Sequence, residues 1–82
     1  MNLTGTQLVA ARGLLRWTQT QLAERAQVAP STVKRLEVAD GLLTANAATI
    51  AALQHALEAA GVIFIAENGE GPGVRLRKVR QE

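Results

Sequence analysis

The sequence contains no cysteine and no tyrosine, and its aromatic side chains are one tryptophan and one phenylalanine. The absence of cysteine excludes both a disulfide framework and a thiolate metal site. No run approaches the roughly 18 consecutive apolar residues that a transmembrane helix needs. The opening MNLTGTQ also lacks the basic and apolar runs of a signal peptide. We therefore expect a cytoplasmic protein.

Positive charge is absent from residues 41 to 73 and is concentrated on either side of them. The basic side chains are Arg12, Arg16, Arg25, Lys34 and Arg35 before this stretch, and Arg75, Arg77, Lys78 and Arg80 after it. The net charge is +2. Such a modest excess fits a nucleic-acid partner, but more often it is simply solvated surface, so charge alone assigns no function.

Two helix starts carry the same signature. Thr4 with Gln7, and Thr18 with Gln21, have the capping-box spacing, in which each side chain satisfies a backbone amide near the other. They predict one helix that begins at Thr4 and a short second helix from Thr18 to about Ala26. The apolar residues are mostly Ala, Leu, Val and Ile, which fits a helical protein, and 82 residues predict a single domain.

Two further helices follow. Pro30 lacks an amide hydrogen and suits the first turn of a helix, which we expect to run to about Val38. Asn46 is a favourable N-cap for a long fourth helix. Gly61 is a favourable residue at which to end that helix, because glycine tolerates the left-handed conformation found there.

After the fourth helix the pattern changes to VIFIA, the loop ENGEGPG and the alternating VRLRKV. These segments predict a β-hairpin with strands near 62–66 and 74–79. The glycines do not predict a dinucleotide-binding loop, because that fingerprint leads from a strand into a helix. An isolated hairpin is marginal in water, so this one either packs on its own helices or pairs between two copies. The candidate dimer contacts are Val62, Ile63, Phe64 and Ile65.

The break between the second and third helices is tight. Ala23 is small enough for the second and third helices to cross closely. Val33, ten residues later, is an apolar residue that can pack the third helix against the core, and Val28 can fill the turn. The third helix then begins with the hydrogen-bonding side chains Ser31, Thr32, Lys34 and Arg35. These features predict a helix-turn-helix, whose second helix enters the DNA major groove by its N-terminal end.

The run ARGLLRWTQTQLAERAQVAPSTVKRLE, followed by TIAALQHAL, carries a family pattern. Its characteristic spacing is that of Gln19, Leu22, Ala23, Val28, Val33 and Glu37. From about Leu8 to Leu57 the chain resembles the lambda-repressor-like (XRE family) DNA-binding domain. The resemblance implies a mainly α fold, with a helix-turn-helix bundle of about four helices at 1–61. The C-terminal β-hairpin and basic tail at 62–82 belong to the same domain.

The resemblance also implies roles for individual residues. Thr18 and Gln19 would contact a phosphate at the start of the second helix, where the helix N-terminus favours an anion. The groove-facing positions of the third helix are Pro30, Ser31, Thr32, Lys34 and Arg35. Arg35 would donate two hydrogen bonds to guanine O6 and N7. Arg12 and Glu37 would form a buried ion pair that ties the first helix to the third.

Three features depart from the family pattern. Gln27 stands where the family usually has glycine, so either its backbone is left-handed at a cost of about 1 kcal/mol or the turn differs. Ala29 stands where the usual N-cap is serine or threonine. The loop ADGLLTA lacks the basic residue that often contacts phosphate, and Arg16 or the basic tail would replace it.

The function expected is sequence-specific binding of double-stranded DNA through the major groove, by a transcriptional regulator. We expect a repressor that binds a palindromic operator as a homodimer. The alternative is an antitoxin or anti-activator that acts through a protein partner, a toxin or another regulator. An enzyme is not expected, because the sequence has no tyrosine, no cysteine and no clustered carboxylate pair, and the single histidine, His55, cannot form a metal site alone. We expect no cofactor and no metal.

Overall fold

The computed structural model describes residues 2–38 and 41–78 of the chain. Within these ranges the elements are α1 (Gly5–Leu15), α2 (Gln19–Ala26), α3 (Pro30–Val38), α4 (Ala47–Ala59), β1 (Val62–Ile65) and β2 (Gly73–Leu76). The expectation of a mainly helical chain with a C-terminal antiparallel hairpin is confirmed. None of the helices in the described ranges is long and apolar enough to cross a membrane.

Both predicted capping boxes are present. The Thr4 hydroxyl accepts from the Gln7 N–H (3.0 Å), and the Gln7 side-chain oxygen accepts from the Thr4 N–H (3.0 Å). The same reciprocal pair joins Thr18 and Gln21, at 3.0 and 2.8 Å. These bonds satisfy amides that have no partner within a helix, and so they fix where α1 and α2 begin.

α1 and α2 both end at a residue in the left-handed conformation. Arg16 caps α1 at φ 57° and ψ 34°, and Gln27 caps α2 at φ 58° and ψ 43°. The left-handed alternative for Gln27 is therefore the one adopted. This backbone turns the chain sharply, and only two residues separate the Gln27 cap from the first residue of α3.

The core lies where the four helices meet the hairpin. Its largest fully buried side chains are Leu3, Leu8, Leu22, Leu36, Leu53, Leu57, Val33 and Val62. Ala23 of α2 is also fully buried, and α2 packs against both α3 and α4. A small side chain on α2 is compatible with close approach of the helix backbones.

The hairpin packs on its own helices. In its register Val62 pairs with Leu76 and Phe64 pairs with Val74. Val62 and Phe64 are buried in the chain's own core, so these two candidate dimer contacts are not available to a second copy. Alternation along the strand explains the difference, because successive side chains point to opposite faces. Ile63 and Ile65 are half-buried and belong to the other face.

The strands are shorter than predicted. β1 ends at Ile65 instead of residue 66, and β2 spans Gly73–Leu76 instead of 74–79. One bond continues beyond the ladder, from the Arg77 N–H to the Gly61 carbonyl oxygen (2.7 Å). The end of the predicted second strand, at 79, lies outside the described residues.

The start of the chain pairs with the connection between α3 and α4. The Leu43 N–H donates to the Leu3 carbonyl oxygen (2.9 Å), and the Gly5 N–H donates to the Gly41 carbonyl oxygen (3.1 Å). Leu3 and Leu43 are both buried. These bonds hold the connection against α1 and give its backbone partners that a helix or sheet would otherwise supply.

Candidate nucleic-acid interface

The turn between α2 and α3 is anchored at its centre. The Val28 N–H donates to the Ala23 carbonyl oxygen (3.0 Å), and the Val28 side chain packs against the core. Ala29 contributes no side-chain cap to α3. Its carbonyl oxygen accepts from the Thr32 N–H (3.0 Å), which begins the helix through backbone bonds alone.

α3 divides into a buried face and an exposed face. Val33 and Leu36 are buried, whereas Ser31, Lys34 and Arg35 are exposed. Positions i, i+3 and i+4 lie on one side of a helix, so these three polar side chains share one face. The helix therefore presents a hydroxyl and two cations to solvent, and Pro30 is exposed beside them. Thr32 is half-buried.

Val38 extends this exposed face. It lies four residues after Lys34 and is 79% exposed, more than any other large apolar side chain among the described residues. Val38 is not among the site residues predicted from the sequence, although its i+4 spacing from Lys34 was a usable signal. An apolar side chain on this face can contact a thymine methyl group.

The N-terminus of α2 lies beside the last turn of α3. Thr18 is exposed at the cap, and Gln19 follows it as the first helical residue. The Gln19 amide nitrogen donates to a carboxylate oxygen of Glu37 at 2.8 Å. The Gln19 side chain is thus held by a carboxylate of the same chain. Its second amide hydrogen has no acceptor among the described residues and could serve a phosphate.

The predicted pair of Arg12 and Glu37 is present and has two hydrogen bonds. Arg12 Nε donates to one Glu37 carboxylate oxygen (2.8 Å), and Arg12 Nη2 donates to the other (2.9 Å). The hydrogen bond to Glu37 raises the pKa of Arg12 above its ordinary value, although partial burial opposes this. Arg12 Nη1 also donates to the Trp17 carbonyl oxygen (3.0 Å). One guanidinium therefore ties α1, the α1–α2 turn and α3 together.

The Trp17 ring is covered by Arg25, a cation for which the sequence indicates only a solvated position. The guanidinium carbon of Arg25 lies 5.1 Å from the centre of the Trp17 ring. This distance is within the range of a cation–π contact, which at an exposed site is worth about 0.5–1 kcal/mol. The residues are eight apart, so the contact spans the two ends of α2.

The connection from Gly41 to Asn46 carries no cation, as the sequence indicates. His55 is exposed on α4. Within residues 2–38 and 41–78, no three His, Cys, Asp or Glu side chains come together as a metal site would require. Neither a comparison with known protein families nor a search of curated proteins finds a match for this chain.

Proposed function

We propose that this chain is a sequence-specific DNA-binding regulator of the lambda-repressor-like class, with α2 and α3 as its helix-turn-helix. The observation that carries the proposal is the division of α3. Val33 and Leu36 anchor it in the core, while Ser31, Lys34 and Arg35 form a free polar face. The side chains of Ser31, Lys34 and Arg35 would act as hydrogen-bond donors to bases and phosphates, and the proposal involves no cofactor.

The proposed complex inserts the N-terminal half of α3 into the major groove. Arg35 donates to guanine, Lys34 meets a guanine or a phosphate, and Ser31 reaches a phosphate or a base edge. The N-terminus of α2 adds a phosphate contact, since its free amides and the helix dipole favour an anion. Binding at an operator that overlaps a promoter would exclude polymerase, which makes the protein a repressor.

We also propose that it binds as a homodimer. One such domain reads only a short half-site, and a two-fold dimer reads two half-sites about 34–36 Å apart. The candidate dimer contact is the hairpin face with Ile63 and Ile65, because Val62 and Phe64 lie in the core.

A selection from random duplex DNA tests DNA recognition. The wild type is expected to enrich one palindromic motif, and a Ser31→Ala/Lys34→Ala/Arg35→Ala variant is expected to lose it. Equal enrichment by both proteins, or none by either, would rule out α3 as the helix that recognises the bases.

Light scattering of the wild type and of an Ile63→Asp/Ile65→Asp variant tests the proposed dimer interface on the hairpin. A dimer mass that persists in the variant places the interface elsewhere.

A protein-interaction function, as an antitoxin or anti-activator, is the second candidate. It is favoured by the outer side of α1, where Val9 and Leu14 are each 40% exposed and Ala10 and Gly13 add no charge. Uncharged exposed surface of this kind is typical of protein contacts. The duplex selection separates the regulator from an anti-activator, because an anti-activator has no need to enrich a motif, whereas an antitoxin would still bind DNA.

A further inference from the structure

Two cations at the end of the hairpin lie beside the turn that leads into α2. Arg77 and Lys78 line a cleft of about 290 Å³ together with Leu15, the last residue of α1. The backbone bond from Arg77 to Gly61 fixes the chain at this point. The hairpin therefore brings two positive charges to the C-terminal end of α1.

This end of α1 is close to the proposed phosphate contact of α2. Leu15 and Thr18 are three residues apart, so their Cα atoms are separated by at most about 11 Å. The residue after Leu15 is Arg16, which is exposed. We name Arg16, Arg77 and Lys78 the basic corner.

The basic corner is open to an external anion. All three side chains are exposed. Within residues 2–38 and 41–78 the ion pair found is that of Arg12 with Glu37, so no described carboxylate neutralises the corner. Three neighbouring cations attract a ligand with several regularly spaced negative charges.

We infer that the basic corner is a second DNA contact, which binds backbone phosphates beside the half-site and reads no bases. The inference rests on the proposed function, because α2 and α3 determine which side of the protein meets the duplex. Phosphate contacts fix orientation and supply affinity without sequence information. The connection from Gly41 to Asn46 has no cation that could bind a DNA phosphate. The basic corner would provide this contact with the DNA backbone.

The salt dependence of binding tests the inference. An Arg77→Gln/Lys78→Gln variant is compared with the wild type on the selected operator and on a mixed-sequence duplex, at salt concentrations from 50 to 300 mM. Each lost phosphate contact reduces the slope of log K against log salt by about 0.9. Two lost contacts reduce the slope by about 1.8 and lower the affinity at 0.1 M salt by up to about 60-fold on both duplexes.

Two matched variants serve as controls. Arg77→Lys/Lys78→Arg keeps both charges and is expected to keep wild-type affinity and slope. Ala66→Glu/Asn68→Asp lowers the net charge by the same amount at the loop end of the hairpin, and it is expected to change the slope far less. The fluorescence of Trp17, the single tryptophan, reports whether each variant remains folded.

The outcomes separate this inference from the proposed function. A parallel loss on both duplexes, with the ratio of the two affinities unchanged, supports the basic corner. Wild-type affinity and slope in the glutamine variant overturn it, while the enriched motif still supports the proposed function. If no motif is enriched, the mixed-sequence duplex still tests the corner. Binding of the wild type to phosphatidylserine vesicles but not to either duplex would assign the corner to a lipid surface and overturn the inference.

Discussion

Arg12 and Glu37 lie on different helices, 25 residues apart, and are joined by two hydrogen bonds of 2.8 and 2.9 Å. The burial of the two partners is unequal. The Glu37 side chain is 5% exposed and that of Arg12 is 22% exposed. Loss of either partner therefore leaves a different charge behind, in a different environment, and the two losses are not equivalent.

We expect Arg12→Met to be more destabilising than Glu37→Leu. The first change leaves a buried carboxylate with Gln19 as its remaining side-chain donor, and the loss is about 3 kcal/mol in the free energy of unfolding. The second leaves a cation that water reaches and that still binds the Trp17 carbonyl. The double variant should be more stable than Arg12→Met alone. Urea unfolding followed by Trp17 fluorescence measures all three, and equal losses for the two single variants would contradict the prediction.

Gln7 has a second role besides its capping box. Its side-chain nitrogen donates to the carbonyl oxygens of Ile65 (3.2 Å) and Gly73 (3.1 Å), the last residue pair of the hairpin ladder. The side chain is nearly fully buried. We expect Gln7→Leu to lower the free energy of unfolding by about 2–3 kcal/mol, because three backbone groups lose a buried partner.

Gln21 provides the matched control for this prediction. It occupies the same capping-box position in α2, but it is exposed and its bonds stay within the box. Gln21→Leu should cost at most about 1 kcal/mol, the usual value of a cap. Urea unfolding of both variants measures the difference. Similar losses would mean that the bonds from Gln7 to the hairpin contribute little.

The local features of the fold were predictable from the sequence. Capping boxes, Pro30 and Asn46 act within one turn of a helix, so short patterns identify the helix starts. The burial of Val33 and Leu36 followed from helical periodicity. The class of fold, four helices and a hairpin, needed no information beyond these local rules and the change of pattern after Gly61.

The contacts that connect the elements were harder to predict. The bonds from Gln7 reach residues 58 and 66 positions away, and no periodic pattern marks them. The bond from Gln19 to Glu37 depends on how α2 and α3 cross. Val62 and Phe64 face the core because the hairpin lies against α1 and α4, an arrangement that strand alternation alone leaves open. Of the candidate site, the sequence predicted the Arg12–Glu37 pair through the family resemblance but not its extension to Trp17.

Gln27 has a backbone conformation that suits glycine better than glutamine. Its φ of 58° places it in the left-handed region, which costs a non-glycine residue about 1–2 kcal/mol. We expect Gln27→Gly to raise the free energy of unfolding by about 0.5 kcal/mol, since the greater freedom of unfolded glycine offsets part of the gain. Gln27→Val should lower it, because a β-branched residue tolerates this region poorly. The urea midpoints of the two variants must fall on opposite sides of the wild type for this account of the turn to hold.

Glu67 organises the hairpin loop through its carboxylate. One oxygen accepts from the N–H groups of Gly69 (2.7 Å) and Gly71 (2.8 Å). The bond from Gly71 contributes most to lowering the pKa of Glu67 in the folded protein, followed by the bond from Gly69. A carboxyl group with a lowered pKa contributes stability above its unfolded pKa of about 4.3, and this contribution disappears as the pH falls through the folded value.

Glu67→Gln should therefore be less stable than the wild type at pH 7, and the difference should shrink as the pH is lowered below about 4.3. The control is Glu70→Gln, because Glu70 lies in the same loop but its carboxylate accepts no hydrogen bond from the N–H group of Gly69 or Gly71. Urea midpoints at pH 7 and pH 3 measure the effect for both variants. A gap between wild type and Glu67→Gln that stays constant from pH 7 to pH 3 would mean that the charge of the Glu67 carboxylate does not stabilise the loop.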